Sequence, residues 1–127
     1  MKALKPAIKV WGVEPETAAP TALSFSMGSP QVFKDWKASF VDGAGGQSLF
    51  PRMWERLKPV VDGAIVVSLE QTKEAMRMLA EKARVIAEGA GSLSLAAALT
   101  GKAGPGPIVA VVSGGNIDLP KFCELVL

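Results

Sequence analysis

Residues 108–118, IVAVVSGGNID, decide the fold, because five consecutive apolar residues run directly into a hydroxyl and two glycines. A short, continuous apolar run rich in β-branched residues is typical of a strand that is buried on both faces, as in a parallel sheet covered by helices. Residues 64–67 (AIVV) have the same character, and residues 8–13 (IKVWGV) lead into Pro15, which disfavours a helix at the residue before it. We therefore predict strands at 8–13, 64–67 and 108–112.

Apolar residues between these segments recur at helical spacing. Ser68 and Gln71 match a capping box, in which each side chain satisfies a free backbone donor at the start of a helix. The sequence predicts helices at 18–28, 48–60, 68–83, 92–99 and 119–127, and a brief strand at 38–41. This alternation predicts one domain of the α/β class over residues 1–127, with a mainly parallel sheet covered by helices.

The composition excludes several classes of function. The chain is 49% apolar and carries a net charge of +2 without a basic run, so we expect neither a nucleic acid nor a membrane as partner. The absence of histidine excludes Ser-His-Asp and Cys-His catalysis and removes the commonest metal ligand. Cys123 is the only cysteine, which excludes an internal disulfide and fits a reducing compartment. We expect a cytoplasmic protein.

Four loops follow predicted strands, at residues 14–20, 42–48, 68–71 and 113–118. In an open parallel sheet the carboxyl ends of the strands share one edge, and ligands bind there. We therefore expect the four loops to lie together.

Several local motifs allow two interpretations. Residues 43–48 (GAGGQS) could cradle a phosphate at a helix N-terminus or simply form a tight turn, and they match neither standard glycine fingerprint. Residues 113–116 (SGGN) could hold a ligand, or turn the chain and cap a helix. Glu88 could be a buried carboxylate beside a ligand or a solvated residue at a helix end. Four carboxylates at strand ends could bind a hard cation through oxygen, namely Glu14, Glu16, Asp42 and Asp118.

Five blocks of the sequence, taken together, resemble the threonine dehydratase and serine racemase group of the fold type II pyridoxal phosphate enzymes, which are similar to tryptophan synthase beta. They occur in the family's order and roughly at its spacing, and they span essentially the whole chain. The blocks are GVEPE at 12–16, VDG at 41–43, VDGAIVVS at 61–68, AEGAG at 87–91 and VSGGNID at 112–118. The resemblance implies a partial domain, the C-terminal half of the family's catalytic domain.

The resemblance implies a cofactor site for pyridoxal phosphate. Ser113 matches the serine that hydrogen-bonds the pyridine nitrogen, with Gly114 following it in the same block. Gly43 matches the glycine beside the cofactor ring, and Glu88 matches the glutamate near the ring edge. A hydroxyl does not hold the pyridine nitrogen protonated as a carboxylate does, so the ring is a milder electron sink that suits β-elimination.

In the racemase branch of this family, the pattern E-P-x-x-A-x-D supplies a divalent-cation site. Glu14 and Ala18 match the first two ligands, the second through its carbonyl oxygen. Pro20 stands where the aspartate would be, and proline cannot replace a carboxylate. The divalent cation is therefore doubtful.

The family's Schiff-base lysine and glycine-rich phosphate loop lie upstream of the segment that this chain resembles. None of the ten lysines here stands in the family's Ser-x-Lys-x-Arg context. The resemblance thus implies a portion of a dehydratase that converts threonine or serine to a 2-oxo acid and ammonia, that is inactive alone, and that works with an N-terminal half or as a homo-oligomer. The alternative is a non-enzymatic binding or assembly module that keeps the fold and pairs through an exposed sheet edge.

Overall fold

The computed structural model describes all residues from 1 to 127, and it confirms the predicted α/β class. Strand β1 (Trp11–Pro15) pairs in parallel with strand β2 (Gly63–Val67), and these two strands form the sheet. The register places Trp11 opposite Gly63 and Pro15 opposite Val67. Both strands lie where apolar segments predicted them, although β1 begins later than expected and continues through Pro15.

Five α-helices occupy the predicted positions. Their bounds are α1 (Pro20–Met27), α2 (Pro51–Leu57), α3 (Leu69–Met78), α4 (Gly89–Leu99) and α5 (Leu119–Val126). The capping box is confirmed, because the Ser68 hydroxyl accepts the Gln71 N–H and the Gln71 side chain accepts the Ser68 N–H. Helix α3 continues into a π-helical turn at Leu79–Ala83, and a 3₁₀ turn forms at Asp42–Ala44. None of the helices is both long enough and apolar enough to cross a bilayer.

Two predicted strands are wrong. Residues 38–41 form no strand, although Val41 is fully buried, and residues 108–112 form no strand either. An apolar pattern reports which side chains favour burial, whereas a strand also needs a neighbour for its backbone. The sheet consists of β1 and β2 alone, and no strand of this chain pairs with residues 108–112.

The hydrophobic core lies where α4 packs against the sheet and α3 packs against α4. Strand β2 buries Ile65 and Val67 in it, while Ala64 and Val66, on the opposite face, are half-buried. Helix α4 approaches closely because its buried residues are mostly small. The main cluster comprises Val41, Ile65, Val67, Ala75, Leu93, Ala96 and Ala97, and a second comprises Met76, Phe122 and Val126.

Asp62 ties the N-terminal segment to the start of β2. Its carboxylate lies 2.7 Å from the Lys2 ammonium and 3.3 Å from the Lys9 ammonium, and it accepts the Val10 N–H at 2.7 Å. The pKa of this carboxyl is lowered from its ordinary 3.8 to about 2. The main cause is the hydrogen bond from Lys2, and the second is the hydrogen bond from the Val10 N–H.

This pKa predicts a pH dependence of stability. Between about pH 4 and pH 2 the unfolded chain binds a proton at Asp62 that the folded chain does not, so stability falls as pH falls through that window. Asp62→Asn should weaken this dependence, which thermal unfolding at pH 6 and pH 3 would measure. An unchanged difference between the two unfolding midpoints would show that Asp62 does not contribute.

Candidate active site

Three segments that are distant in the sequence meet around Glu88. The Glu88 N–H donates to the Gly114 carbonyl at 3.1 Å. A Cβ placed on Gly43 would lie 3.5 Å from the Glu88 carboxylate and 3.0 Å from the Ala90 Cβ. The predicted neighbourhood of the loops at 43 and 113 is therefore observed, with Glu88 between them.

The glycines of this cluster allow one backbone to touch another. A Cβ on Gly91, which is buried, would overlap the Gly114 carbonyl oxygen and lie 3.0 Å from the Ser113 carbonyl oxygen. A Cβ on Gly114 would overlap the Glu88 carboxylate, and one on Gly115 would lie 2.8 Å from the Ile86 carbonyl oxygen. The sequence suggested a turn or a ligand contact for the glycines at 114 and 115. It did not predict the close packing between segments, or that Gly91 lets the Ser113 and Gly114 carbonyls approach α4.

The Glu88 backbone makes hydrogen bonds on both sides, whereas its side chain makes no hydrogen bond or ion pair within the chain. It is the N-cap residue of α4, and its carbonyl accepts both the Ser92 N–H at 3.1 Å and the Ser92 hydroxyl at 3.0 Å. None of the ion pairs in the structure includes Glu88. The carboxylate is packed against Gly43 and Gly114, at the junction of the three segments.

Ser113 is exposed at the edge of this cluster. The segment that carries it is anchored to α4, because the Val111 carbonyl accepts the Ser94 hydroxyl at 2.7 Å. The Ser113 hydroxyl takes part in none of the side-chain hydrogen bonds within the chain, unlike the neighbouring Ser92 and Ser94 hydroxyls. The Ser113 hydroxyl and the Glu88 carboxylate thus both lack partners within the chain, and they belong to segments that meet at Gly91 and Gly114.

The predicted cation ligand Glu14 is engaged in capping a helix. Its two carboxylate oxygens accept the N–H groups of Thr21 at 2.8 Å and Ala22 at 2.9 Å, at the start of α1. Glu16 accepts the Leu69 N–H at 2.9 Å at the start of α3. The side chains form no group of three or more metal-ligating residues. A cation at Glu14 would compete with two backbone donors, and Ala18, the other predicted ligand, is fully buried.

An open groove of about 670 Å³ lies elsewhere on the surface, and its lining includes none of the residues around Glu88. The Trp36 indole N–H beside it donates to the Gly45 carbonyl at 2.8 Å. Its lining residues are Glu16, Thr17, Lys34, Asp35, Trp36 and Lys37. None of the predicted cofactor residues lies there.

The fold is a parallel α/β fold, and three of its segments meet around a carboxylate, at Glu88, that has no ion pair within the chain. Residues 1–114 match the family described as pyridoxal-phosphate dependent enzyme, and the chain belongs to that family. Its structural relatives are fold type II members, so the resemblance drawn from the five sequence blocks is confirmed.

The relatives within this family include threonine dehydratases and serine racemases. The chain is 34% identical over 131 residues to "L-threonine dehydratase catabolic TdcB" of Staphylococcus aureus (strain N315), covering 99% of this chain and 38% of that protein. It is 30% identical to the protein of the same name from Escherichia coli (strain K12), covering 98% and 39%. The chain therefore spans about two fifths of the length of these relatives.

Solved structures give the same result. The processed form of threonine deaminase isoform 2 from Solanum lycopersicum superposes with a TM-score of 0.86 at 26% identity, covering 98% of this chain and 37% of that one. Maize serine racemase superposes with a TM-score of 0.84 at 30% identity, covering 97% and 40%. The fold of the 127 residues is thus that of one portion of a larger enzyme.

Proposed function

We propose that this chain builds one part of the cofactor pocket of a pyridoxal-phosphate-dependent threonine or serine dehydratase. The convergence of three segments on Glu88 is the observation that carries the proposal, because it gathers every predicted cofactor residue. These residues are Ser113, Gly43, Glu88 and Gly114. Residues 1–127 would make up a single partial domain of that enzyme.

Each residue has a distinct task. The Ser113 hydroxyl hydrogen-bonds the ring nitrogen, and Gly43 and Gly114, which carry no side chains, let the Glu88 carboxylate pack against them beside the ring. Glu88 presents its carboxylate near the ring edge. When bound, the cofactor supplies an electron-withdrawing ring that weakens bonds at the substrate α-carbon. A serine partner leaves that ring a mild electron sink, which suits loss of a β-hydroxyl.

The substrate of the complete enzyme is a hydroxy amino acid, and the products are a 2-oxo acid and ammonia. The lysine that such chemistry requires comes, in this proposal, from an N-terminal portion that assembles with the chain in the reducing cytoplasm. Homo-oligomerisation is the other mode of assembly, and it brings no lysine in the family's context. The isolated chain is then catalytically silent.

Reconstitution tests this function. The chain alone is expected to form no 2-oxo acid from threonine or serine, and the chain assembled with an N-terminal portion is expected to form it. Sustained activity of the isolated chain would contradict the proposal.

Within that assembly, Ser113→Ala should lower kcat by about 10- to 100-fold, the worth of one hydrogen bond to a buried polar group. Ser113→Thr keeps the hydroxyl and serves as the control, with a smaller loss. Equal rates for the alanine variant and the unmodified chain would show that Ser113 does not hydrogen-bond the cofactor.

A non-enzymatic assembly module is the second candidate, favoured by the exposure of apolar side chains at Ile108, Val109 and Val111. Sedimentation with and without pyridoxal phosphate separates the two candidates. An oligomer that forms without a partner and is indifferent to the cofactor supports the module.

A further inference from the structure

We propose that Ser94 is a positioning residue for the cofactor pocket, because its hydroxyl holds residues 111–114 on α4 and thereby fixes the place of the Ser113 hydroxyl. The inference rests on the proposed function and deepens it, since it identifies what keeps the hydrogen-bond partner of the ring nitrogen in position. Ser94 itself acts at a distance from the ring, through the backbone of the segment that carries Ser113.

The Ser94 hydroxyl differs from the other hydroxyls inside the helices. A serine or threonine in a helix interior commonly donates to the carbonyl four residues earlier in the same helix. Ser24, Thr72 and Ser92 do so in this structure. Ser94 donates instead to the Val111 carbonyl at 2.7 Å, 17 residues along the chain. Its hydroxyl therefore joins two segments, whereas the others stay within one.

The bond from Ser94 anchors a segment that has few other attachments. Residues 105–113 take part in no backbone–backbone hydrogen bond, and the bond from Ser94 is the one side-chain hydrogen bond that reaches them. The next attachment along the chain is at Gly114, whose carbonyl accepts the Glu88 N–H at 3.1 Å. Ser113 is thus held between two hydrogen bonds to α4 and its N-cap, and its own hydroxyl remains free for a ligand.

The attachments follow one stripe of α4. Glu88, Gly91 and Ser94 succeed one another at a spacing of three residues, which places them on the same face of a helix. Glu88 to Ser94 covers about 9 Å of helix axis at roughly 1.5 Å a residue, and extended chain from Val111 to Gly114 covers about 10 Å at roughly 3.3 Å a residue. Because these lengths match, the segment lies along the stripe in the reverse direction, bonded at both ends.

Loss of the Ser94 bond should weaken cofactor binding without removing any group that touches the cofactor. A hydrogen bond to the ring nitrogen forms only when the Ser113 hydroxyl lies within about 3 Å of it. The measured affinity is therefore scaled by the fraction of chains in which the segment lies against α4. One net hydrogen bond changes such a fraction by about three- to tenfold, and we expect an affinity loss of that size in Ser94→Ala.

Amide relaxation of the chain without cofactor tests the positioning directly. In Ser94→Ala the order parameters of residues 111–114 should fall below about 0.6, the range of flexible backbone, while Ser94→Thr, which keeps the hydroxyl, should restore them. Thr100→Ala is the matched control, because the Thr100 hydroxyl donates at the same 2.7 Å but to the Ala97 carbonyl of its own helix. Unchanged order parameters in Ser94→Ala overturn the inference, as does a segment that is already flexible in the unmodified chain.

Titration with pyridoxine 5′-phosphate, followed by amide chemical shifts, tests the consequence for the pocket. Ser94→Ala should bind the probe about three- to tenfold more weakly than the unmodified chain, and Ser94→Thr and Thr100→Ala within about twofold of it. Equal affinities of Ser94→Ala and the unmodified chain overturn the inference. If the segment loosens in Ser94→Ala but the unmodified chain does not bind the probe, the proposed function fails and the role of Ser94 in holding the segment stands.

Discussion

Replacing Gly91 with alanine is expected to destabilise the chain by about 3 kcal/mol, at the upper end of the cost of overfilling a packed site. The new Cβ would overlap the Gly114 carbonyl oxygen and press on the Ser113 carbonyl, and both obstacles are backbone atoms that no rotamer change can move. Relief requires the 113–115 segment to move away from α4. The variant should therefore be less stable, and the contacts around Glu88 should change.

Gly46→Ala is the matched control, since a Cβ there meets nothing within 4 Å. It should change stability by no more than about 0.5–1 kcal/mol, and towards greater stability, because alanine restricts the unfolded chain. Urea denaturation of the two variants gives both values. Equal stability of Gly91→Ala and Gly46→Ala would mean that the segments around Glu88 are not in contact.

Removing the Glu14 side chain is expected to cost a comparable amount, about 3 kcal/mol, because two backbone donors lose their acceptor. Glu14 is 9% exposed, and its carboxylate accepts two N–H groups at the start of α1. Glu14→Ala leaves both donors unsatisfied, and each charge-assisted bond is worth about 1.5–3 kcal/mol before the site relaxes. Glu14→Gln keeps one acceptor oxygen and should lose roughly half as much.

Glu16→Ala is the control for position, because Glu16 is exposed and caps α3 through one bond, to the Leu69 N–H. Glu16→Ala should lower the free energy of unfolding by about 1 kcal/mol. Thermal unfolding with Mg²⁺ or with a chelator extends the test to the doubtful cation. Since both Glu14 oxygens are occupied, neither addition should move the unfolding midpoint, and a clear rise with Mg²⁺ would restore the cation site.

The sequence predicted the features that depend on neighbours in the chain. The capping box at Ser68 needs only residues three apart, and β2 follows from four apolar residues in a row. Local chemistry determines both features. The approach of Gly43 to Ser113 was also predicted, but from strands at 38–41 and 108–112 that the structure lacks, and it arises instead from contacts of both segments with Glu88 and α4.

The features that the sequence did not predict depend on partners far along the chain or outside it. Residues 108–112 have the composition of a strand, yet pairing requires a neighbour that composition cannot reveal. Gly91 is needed because of Gly114, and the helix-capping role of Glu14 depends on how β1 turns into α1. The Gly91 contact is long-range, the Glu14 contact depends on the conformation of a short turn, and strand pairing depends on a neighbour, and local pattern carries little information about any of the three.

In the proposed function, Gly43, Glu88, Ser113 and Gly114 form one pocket for a vitamin B6 ring. The most direct test is an amide chemical-shift titration of the chain with pyridoxine 5′-phosphate, which lacks the aldehyde that would react with lysines. We expect saturable shifts that are concentrated at these residues and are smaller in Ser113→Ala. Shifts centred instead on the groove beside Trp36, or unchanged by Ser113→Ala, would contradict it.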